Sequence, residues 1–333
     1  MDAKSGLSFA ASLIQSGQLV AFPTETVYGL GANALDADAC RDIFLAKGRP
    51  ADNPLIVHIP HRENVDEMIS TPLSELVNQL LEAYWPGPLT IVVPASGVVP
   101  LVVRGGLDTV AIRCPDHPVA QALMELSARP IAAPSANRSG RPSPTTAEDV
   151  YEDLMGRIPL ILDAGCTVFG LESTVVDVTR DPPVLLRPGA ITRQQLEEFL
   201  GPVVLADNGT TARAPGMKYR HYAPSAPVWW WNTSDVEELR TRWDALEKHS
   251  GRPYALLASQ ETQRALRPAL FYNLGDNDRT VAQNMFHGLR TLDRYHPAAI
   301  IVCWAQSSGL GEAILNRLRK AAELGDAGDA DGN

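Results

Sequence analysis

The sequence is poor in cysteine and contains no long hydrophobic run. Its four cysteines, Cys40, Cys114, Cys166 and Cys303, lie far apart and form no Cys-x-x-Cys pair, so neither a zinc site nor a disulfide framework is indicated. The longest apolar stretches, such as residues 298–303, have the length of a β-strand and fall far short of the roughly 20 residues that span a membrane. The N-terminus shows no basic segment followed by an apolar core, so we expect no export signal and a cytoplasmic protein.

Motifs that identify several enzyme classes are missing as well. The chain has no Walker sequence G-x-x-x-x-G-K-[ST], so a P-loop is not the device that would hold phosphate. It has neither the G-x-S-x-G nor the H-E-x-x-H motif, and His58 and His61, three residues apart in a predicted strand, do not present one metal-binding face. The sequence therefore predicts neither a serine nucleophile nor a bound zinc ion.

Positive charge is scarce in the first part of the chain. The protein has 333 residues and a formal net charge of -10. Residues 1–206 hold 14 Lys and Arg against 24 Asp and Glu, whereas residues 207–333 hold 15 of each kind. Nonspecific affinity for nucleic acid comes mainly from neutralising phosphates, which makes the first segment a poor candidate for such binding. A small polyanion could still bind where a few cations converge.

The alternation of strands and helices predicts two α/β domains. Residues 1–206 have too many short strands and too many Pro and Gly breaks for a simple Rossmann unit, which favours another twisted-sheet fold. Residues 207–227 lose all periodicity and are predicted to be a linker. Residues 228–324 alternate strand and helix as a small parallel sheet does, and the acidic, Gly-rich residues 325–333 are predicted to be a disordered tail.

The first domain is predicted to contain a hairpin and two polar loops. Residues 171–177 and 184–191 form the arms of the hairpin, with Asp181-Pro182-Pro183 in its turn. Residues 23–31 are interpreted as a loop that leaves the first strand, and residues 133–143 as a second loop of the same kind. Both are rich in hydroxyl groups at a strand end, where α/β proteins place ligands, although ordinary polar turns would look the same.

Basic residues in this domain stand in rigid backbone rather than on charged helices. The segments are Lys47-Gly48-Arg49-Pro50, Arg113 at the end of an apolar strand, and Arg187-Pro188-Gly189. Rigid flanking backbone lowers the entropy lost when a cation is aimed at a fixed phosphate. Lys47 and Arg49 could instead be favoured by the dipole at a helix C-terminus. We interpret the set as a local, concave anion site in an acidic protein.

Taken in order, these segments resemble one enzyme family. From about residue 7 to residue 324 the chain is similar to the YrdC-type L-threonylcarbamoyladenylate synthases, in the long form that adds a small Rossmann-like C-terminal domain. The matching motifs are Pro-Thr-Glu-Thr-Val-Tyr-Gly-Leu (23–30), Lys-x-Arg-Pro-x-x-x-Pro-Leu (47–55), Ser-Ala-Asn (135–137), Ser-Thr-Val-Val (173–176), Arg-Pro-Gly (187–189) and the linker sequence 215–224.

The resemblance implies a nucleotidyl transfer. L-threonine, bicarbonate or CO2, and ATP would give threonylcarbamoyl-AMP and pyrophosphate, with Mg2+ bridging the ATP phosphates. Separate transferase proteins would then use the adenylate to make threonylcarbamoyladenosine in tRNA. Threonine would be bound by Thr26, His58, Arg113, Ser135 and Ser173. ATP would be bound by Arg49, Asn53, Thr109, Ala133, Ser143, Arg187 and Tyr222. Catalytic charge would come from Lys47, Arg49 and Arg187.

Two further expectations concern the chemistry. A displacement at phosphorus needs positioning and charge stabilisation more than a covalent nucleophile, so the missing serine motif is consistent with the reaction; His58 is a candidate general base, although a histidine in a strand is more often a satisfied buried side chain. Because a carbamate hydrolyses easily, the site should close. We expect the linker residues Lys218, Tyr219, Arg220, His221 and Tyr222 to form a lid that holds bicarbonate.

Three alternatives remain open at this point. A double-stranded RNA-binding or ribosome-assembly module would use the same concave surface, although the charge of residues 1–206 argues against it. A carbamoyl-transfer domain of the hydrogenase-maturation type would normally be joined to an acylphosphatase and a zinc-finger region, which four scattered cysteines cannot build. The C-terminal domain could also be a partner-docking module in addition to any role in closing the site.

Overall fold

The computed structural model describes residues 3–206, 221–247 and 251–322. Within these residues the chain forms two compact units. The first contains residues 3–139 and 143–206; the second contains residues 221–247 and 251–322 together with the short segment 140–142. Lys218, Tyr219 and Arg220 of the predicted lid, and the predicted tail, lie outside the described residues.

The first unit is built on a large mixed sheet. Its strands are β1 (Val20–Phe22), β2 (Gly29–Asn33), β3 (Ile56–His58), β4 (Leu89–Pro94), β5 (Thr109–Arg113), β6 (Ile131–Ala133), β7 (Leu160–Ile161), β8 (Thr174–Asp177), β9 (Val184–Arg187) and β10 (Val204–Leu205). They are ordered β10-β9-β8-β4-β5-β3-β6-β2-β1-β7. The helices are α1 (Ala3–Gln15), α2 (Ala37–Lys47), α3 (Val65–Met68), α4 (Glu75–Tyr84), α5 (Pro118–Ser127), α6 (Ala147–Leu154) and α7 (Arg193–Leu200).

Local sequence determines where α2 ends, and hence where its basic residues stand. Asp36 caps the N-terminus by accepting from the backbone N–H groups of residues 38 and 39. At the other end Gly48 adopts a left-handed conformation with φ of +62°, which a residue without Cβ adopts at little cost. The helix therefore ends at Lys47. Arg49 follows the cap and begins the connection to β3.

Strand β2 corrects one prediction. Residues 29–31 are not part of a loop, because they pair antiparallel with β1, with Gly31 opposite Val20. A Cβ atom on Gly31 would lie 2.7 Å from a side-chain atom of Ile131 and 2.8 Å from one of Phe22. Glycine is required here for close packing, although its low strand propensity makes the segment look like a turn in the sequence.

The two faces of the sheet are covered differently. One face packs against helices in a large core that includes Ile43, Leu80 and Ile112. On the other face a smaller group of apolar residues comes from central strands and includes Ile56, Val92, Ala111, Val175 and Leu186. This second face carries the candidate site.

The second unit is a doubly wound parallel sheet, as the sequence predicted. Its strands β11 (Val228–Trp231), β12 (Ala255–Ala258), β13 (Leu270–Asn273) and β14 (Ile300–Cys303) are all parallel, in the order β11-β14-β12-β13. Its helices are α8 (Val236–Glu247), α9 (Gln260–Leu266), α10 (Asp278–Asp293) and α11 (Leu310–Ala321). Helices α8 and α9 contact each other, as do α10 and α11. The α/β fold class with two sheets is confirmed.

Segment 140–142 is held by buried charged residues of this unit. The guanidinium of Arg290 donates to the carbonyl oxygen of Pro142, and the carbonyl of Gly140 accepts from the N–H of Ala223. Asp293 accepts from the backbone N–H groups of residues 225 and 226.

Among the described residues, no helix is long and apolar enough to cross a membrane.

Candidate active site

Strand register brings distant polar residues into one row. His58 of β3 lies opposite Arg113 of β5, Arg113 lies opposite Thr90 of β4, Thr90 lies opposite Val175 of β8, and Val175 lies opposite Arg187 of β9. Residues paired in this way point to the same face of a sheet. With strands about 4.8 Å apart, the backbones of Arg113 and Arg187 stand roughly 14 Å from each other. Two arginines on one face of the sheet suit a ligand with two separate anionic groups.

A second, apolar row runs beside the first. Ile56 lies opposite both Ala133 and Ala111, and Ala111 lies opposite Val92. The two rows are two residues apart along each strand, or about 7 Å. Ala133 and Thr109, both predicted to bind ATP, are at or beside this row at the ends of β6 and β5. The candidate site thus has a small apolar floor bordered by the arginines.

Arg113 is held by three groups of the chain. Its Nε donates to the carbonyl of Gly87 at 3.2 Å, its Nη1 donates to Oγ1 of Thr26 at 2.9 Å, and its Nη2 lies 2.6 Å from Oε1 of Glu25 in an ion pair. The side chains of Arg113 and Glu25 are each only 5% exposed. A guanidinium carries five N–H groups, so two of them have no acceptor among the described residues and could bind a ligand such as a carboxylate.

The loop between β1 and β2 fixes Thr26 at this position. Oγ1 of Thr24 accepts from the backbone N–H groups of Thr26 and Val27, donates to the carbonyl of Val27 and lies 2.8 Å from Oγ1 of Thr26. A threonine hydroxyl that bonds to nearby backbone in this way stabilises a tight turn. The hydroxyl of Thr26 is consequently buried beside Arg113 instead of facing water.

Arg187 is anchored on the neighbouring strand. Its Nε donates to the carbonyl of Ser173 and its Nη2 donates to Oγ of the same residue, both at 3.0 Å. The Ser173 hydroxyl also lies 2.8 Å from Oγ1 of Thr90. Two bonds fix the plane of the guanidinium, which lowers the entropy lost when it meets an anion.

The Arg-Pro-Gly sequence is explained by a close backbone approach. A Cβ atom on Gly189 would lie 2.3 Å from the backbone nitrogen of Thr174 and 2.7 Å from its Oγ1. That hydroxyl donates to the carbonyl of Ile191 at 2.7 Å and accepts from its N–H at 3.0 Å. The chain beyond Arg187 is thus closed against β8, the strand that follows Ser173.

Lys47 ties the end of α2 to the Ser-Ala-Asn segment. Its Nζ donates to the carbonyl oxygens of Ser135 and Asn137, both at 2.5 Å, and the residue is 3% exposed. The hydroxyl of Ser135 in turn donates to Oδ1 of Asn137. A buried ammonium bonded to carbonyls keeps its positive charge in place, so this corner of the site is electropositive.

The side chain of Asn53 is buried without a hydrogen-bond partner among the described residues, as expected of a ligand-binding residue. Its side chain is completely buried, yet neither its amide nitrogen nor its amide oxygen has a hydrogen-bond partner among the described residues. Buried amides are almost always paired, since an unpaired one costs about 1–3 kcal/mol. Arg49 is adjacent, because its Nη2 donates to the carbonyls of Asn53 and Pro54. The two side chains stand on the same connection between α2 and β3.

Two buried glutamates were missed by the sequence reasoning. Glu25 pairs with Arg113, and Glu172 accepts a hydrogen bond from the hydroxyl of Ser143; each residue is no more than 6% exposed. The available signal was their place inside the matching motifs, Thr-Glu-Thr and Glu-Ser-Thr. An acidic residue in an otherwise hydroxyl-rich loop indicates a paired charge, because such a charge is seldom buried without a partner.

His58 is buried and neutral. Its Nδ1 lies 3.2 Å from the carbonyl of Ile56, and its ring meets Phe22 edge-on at 6.2 Å. Burial, with a further contribution from the charge of Arg113, lowers the pKa of His58 to about 3 from an ordinary value of 6.5. A base with this pKa is weak at neutral pH, whereas a neutral imidazole remains a good hydrogen-bonding group for a ligand.

This depressed pKa makes a prediction for stability. Between pH 6.5 and about 3 the unfolded chain binds a proton that folded His58 does not, so the free energy of unfolding falls as the pH is lowered, by up to roughly 1.4 kcal/mol per pH unit from this group. We expect His58→Gln to make the free energy of unfolding, measured with urea at several pH values, depend less steeply on pH. Parallel curves for His58→Gln and the unchanged protein would contradict the assignment.

The remaining predicted residues lie in the second unit or beyond the described chain. Tyr222 is buried in the second unit, with φ of +67° and its ring stacked on Phe286 at 5.1 Å. The ring of His221 is 5.7 Å from that of Tyr222. The contribution of Tyr222 to ATP binding, and the lid itself, stay predictions.

Comparison with known proteins agrees with this architecture. The Sua5/YciO/YrdC family model, described as telomere recombination, matches residues 12–189. The chain belongs to this family. The model of the C-terminal domain of threonylcarbamoyl-AMP synthase matches residues 191–323, so the long form predicted from the motifs is confirmed.

Individual relatives of the family extend over nearly the full chain. The protein named threonylcarbamoyl-AMP synthase from Pyrococcus abyssi (strain GE5 / Orsay) is 49% identical, and the match covers 95% of this chain and 94% of that protein. The protein of the same name from Bacillus subtilis (strain 168) is 44% identical, with 94% and 92% covered. The crystal structure of P. abyssi Sua5 complexed with L-threonine has a TM-score of 0.90 and 47% identity, and covers 95% of this chain and 94% of that one.

Proposed function

We propose that this protein is a threonylcarbamoyl-AMP synthase, which makes threonylcarbamoyl-AMP and pyrophosphate from L-threonine, CO2 or bicarbonate, and ATP. The observation that carries the proposal is the row in which the backbones of Arg113 and Arg187 stand roughly 14 Å apart on one face of the sheet. Support also comes from relatives of that name, 44% and 49% identical over nearly the whole chain. The enzyme is accordingly a nucleotidyltransferase.

Threonine binds at the Arg113 end of the row. The two unused N–H groups of this guanidinium take the carboxylate, while Thr26 and His58 stand beside it. Ser173, which immediately precedes β8, is hydrogen-bonded to Thr90 of β4, the strand next to β5. Ser135 completes the pocket from the segment that Lys47 holds.

ATP binds toward the apolar row and Arg187. Asn53 offers an unpaired amide among the described residues, which suits the edge of a base or a phosphate oxygen. Lys47, Arg49 and Arg187 supply positive charge for the triphosphate and for the charge that develops when pyrophosphate leaves. The other nucleotide-binding residues of this unit are Thr109, Ala133 and Ser143.

The chemistry depends on placing two substrates together. The neutral amine of threonine attacks the carbon of CO2 and loses one proton to water, which gives a carbamate. A carbamate oxygen then attacks the α-phosphorus, and the bond between that phosphorus and the departing pyrophosphate breaks. Fixed cations and fixed hydroxyl groups provide orientation without a covalent intermediate. The arginines are immobilised by their bonds to the chain before any substrate arrives.

Magnesium would accompany ATP. Among the described residues no group of three or more His, Cys, Asp and Glu side chains could hold a metal ion. The expectation that the ion is held by phosphate oxygens rests on the family resemblance. When bound, Mg2+ would offset the charge of the triphosphate. The carboxylate of Glu172 contacts one of the proposed nucleotide residues, because it accepts a hydrogen bond from the hydroxyl of Ser143.

Downstream, separate transferase proteins would use the adenylate to modify tRNA. The linker residues Lys218, Tyr219, Arg220, His221 and Tyr222 would close the site over the carbamate and hold bicarbonate. These parts of the proposal rest on the family resemblance and on the need to keep water from a labile intermediate.

Pyrophosphate release from ATP tests the function directly. We expect release only when L-threonine, bicarbonate and Mg2+ are all present, and a loss to background when any one of them is omitted. Serine is the matched control for the amino acid, because it differs from threonine by one methyl group. Equally fast release with serine, or release without an amino acid, would contradict the proposal.

A further inference from the structure

The carboxylate of Glu25 has a counter-charge but no hydrogen-bond donor among the described residues. Its Oε1 lies 2.6 Å from Nη2 of Arg113 in an ion pair, and neither Oε1 nor Oε2 accepts a hydrogen bond from a described residue. The residue is 4% exposed. A buried carboxylate oxygen without a donor is costly, which indicates that a ligand supplies the missing donor.

The position of this oxygen is fixed by the backbone. The carbonyl of Glu25 accepts from the N–H groups of both Val168 and Phe169, at 3.1 Å and 2.8 Å. The next residue, Thr26, is also fixed in the turn, because its backbone N–H donates to Oγ1 of Thr24. Glu25 therefore stands beside the Arg113 guanidinium as a preorganised pair of opposite charges.

Such a pair matches one class of ligand. An α-amino acid carries a carboxylate and an ammonium group on the same carbon atom, a few ångströms apart. If the free N–H groups of Arg113 hold the carboxylate, an acidic oxygen next to the guanidinium is the natural acceptor for the ammonium. A simple carboxylic acid would fill only the arginine half and leave Oε2 unpaired.

We propose that Glu25 binds the α-ammonium group of the amino-acid substrate and so discriminates amino acids from acids that lack the amine. This inference rests on the proposed function, since it assigns a specificity residue to the same site. It goes further because it names the group that binds the substrate amine before the carbamate forms. That group is the carboxylate of Glu25 and not the neutral imidazole of His58.

Binding of two ligands to the intact protein tests the inference. L-threonine and 3-hydroxybutyrate share the carboxylate, the hydroxyl and the methyl group, but only threonine has the amine. By calorimetry, we expect Glu25→Gln to weaken threonine binding by about 10- to 100-fold, the range for a lost hydrogen bond to a charged group. Binding of 3-hydroxybutyrate should be unchanged or tighter, because Arg113 loses a competing anion.

A purely structural role gives a different result. If Glu25 only orients Arg113, both ligands lose affinity equally in Glu25→Gln, and the inference is overturned. Unchanged threonine binding would overturn it too. If pyrophosphate release by that variant then also needed more Mg2+, the carboxylate would be assigned to the metal. Pyrophosphate release by the unaltered enzyme is measured independently, so these outcomes leave the proposed function standing.

Two further variants keep the test decisive. Glu25→Asp retains the charge and should recover part of the preference for threonine even if Glu25→Gln folds poorly. Glu172→Gln alters the other buried glutamate of the site, which is bonded to Ser143, and should keep the preference for threonine over 3-hydroxybutyrate. Loss of that preference in Glu172→Gln as well would show that the effect is not specific to Glu25 and would overturn the inference.

Discussion

Arg113→Met is expected to lower kcat/KM for pyrophosphate release by roughly 100- to 1,000-fold, because the variant removes the group that binds the substrate carboxylate. It should also lower the free energy of unfolding by about 3–5 kcal/mol, since the buried Glu25 carboxylate would lose its counter-charge. Steady-state assays and urea unfolding measure the two effects separately.

The double variant Arg113→Met/Glu25→Gln separates stability from activity. With no buried charge left unpaired, most of the lost stability should return, while activity should remain low because nothing replaces the guanidinium. Full stability in the single variant would mean that Glu25 is neutralised in some other way. Activity in the double variant would remove Arg113 from the site.

Gly189→Ala is expected to destabilise the protein strongly, although it adds only one methyl group. The new Cβ would lie 2.3 Å from the backbone nitrogen of Thr174, so β8 and the segment after β9 would have to separate. We expect a loss of about 2–4 kcal/mol in the free energy of unfolding. Activity should fall as well, because Arg187 and Ser173 flank the displaced backbone.

Gly97→Ala is the matched control in the same unit. Nothing lies within 4 Å of a Cβ built on Gly97, so the free energy of unfolding should change by no more than about 0.5 kcal/mol. Urea unfolding and pyrophosphate release of both variants decide the question. Equal behaviour of the two variants would mean that the chain relaxes around Gly189 without cost.

Apolar pattern alone was enough to predict most of the secondary structure. Strands β6 (131–133) and β11 (228–231) are short apolar runs between clear breaks, which is the pattern that predicts a strand. The hairpin was also correct, with β8 and β9 antiparallel. Strand β2 was missed because its glycines serve close packing against Phe22 and Ile131, a tertiary reason that local propensity does not carry.

The candidate site was predictable in its cations and not in their partners. Gly and Pro neighbours singled out Lys47 and Arg187, and the family motifs supplied the surrounding residues. The pairing of Glu25 with Arg113 depends on a loop meeting a strand 88 residues later in the chain. No local pattern encodes that meeting, since it follows from the order of strands in the sheet. The transfer of residues 140–142 to the second unit is invisible for the same reason.

The row of paired strand residues also constrains how the molecule comes into being. Its members follow the chain order 58, 90, 113, 175 and 187, yet their spatial order is 58, 113, 90, 175, 187. Such non-local pairing raises the contact order, which slows folding. During synthesis, the binding surface cannot be assembled until Arg187 has left the ribosome. A nascent chain that ends before Arg187 is therefore unable to bind its substrates.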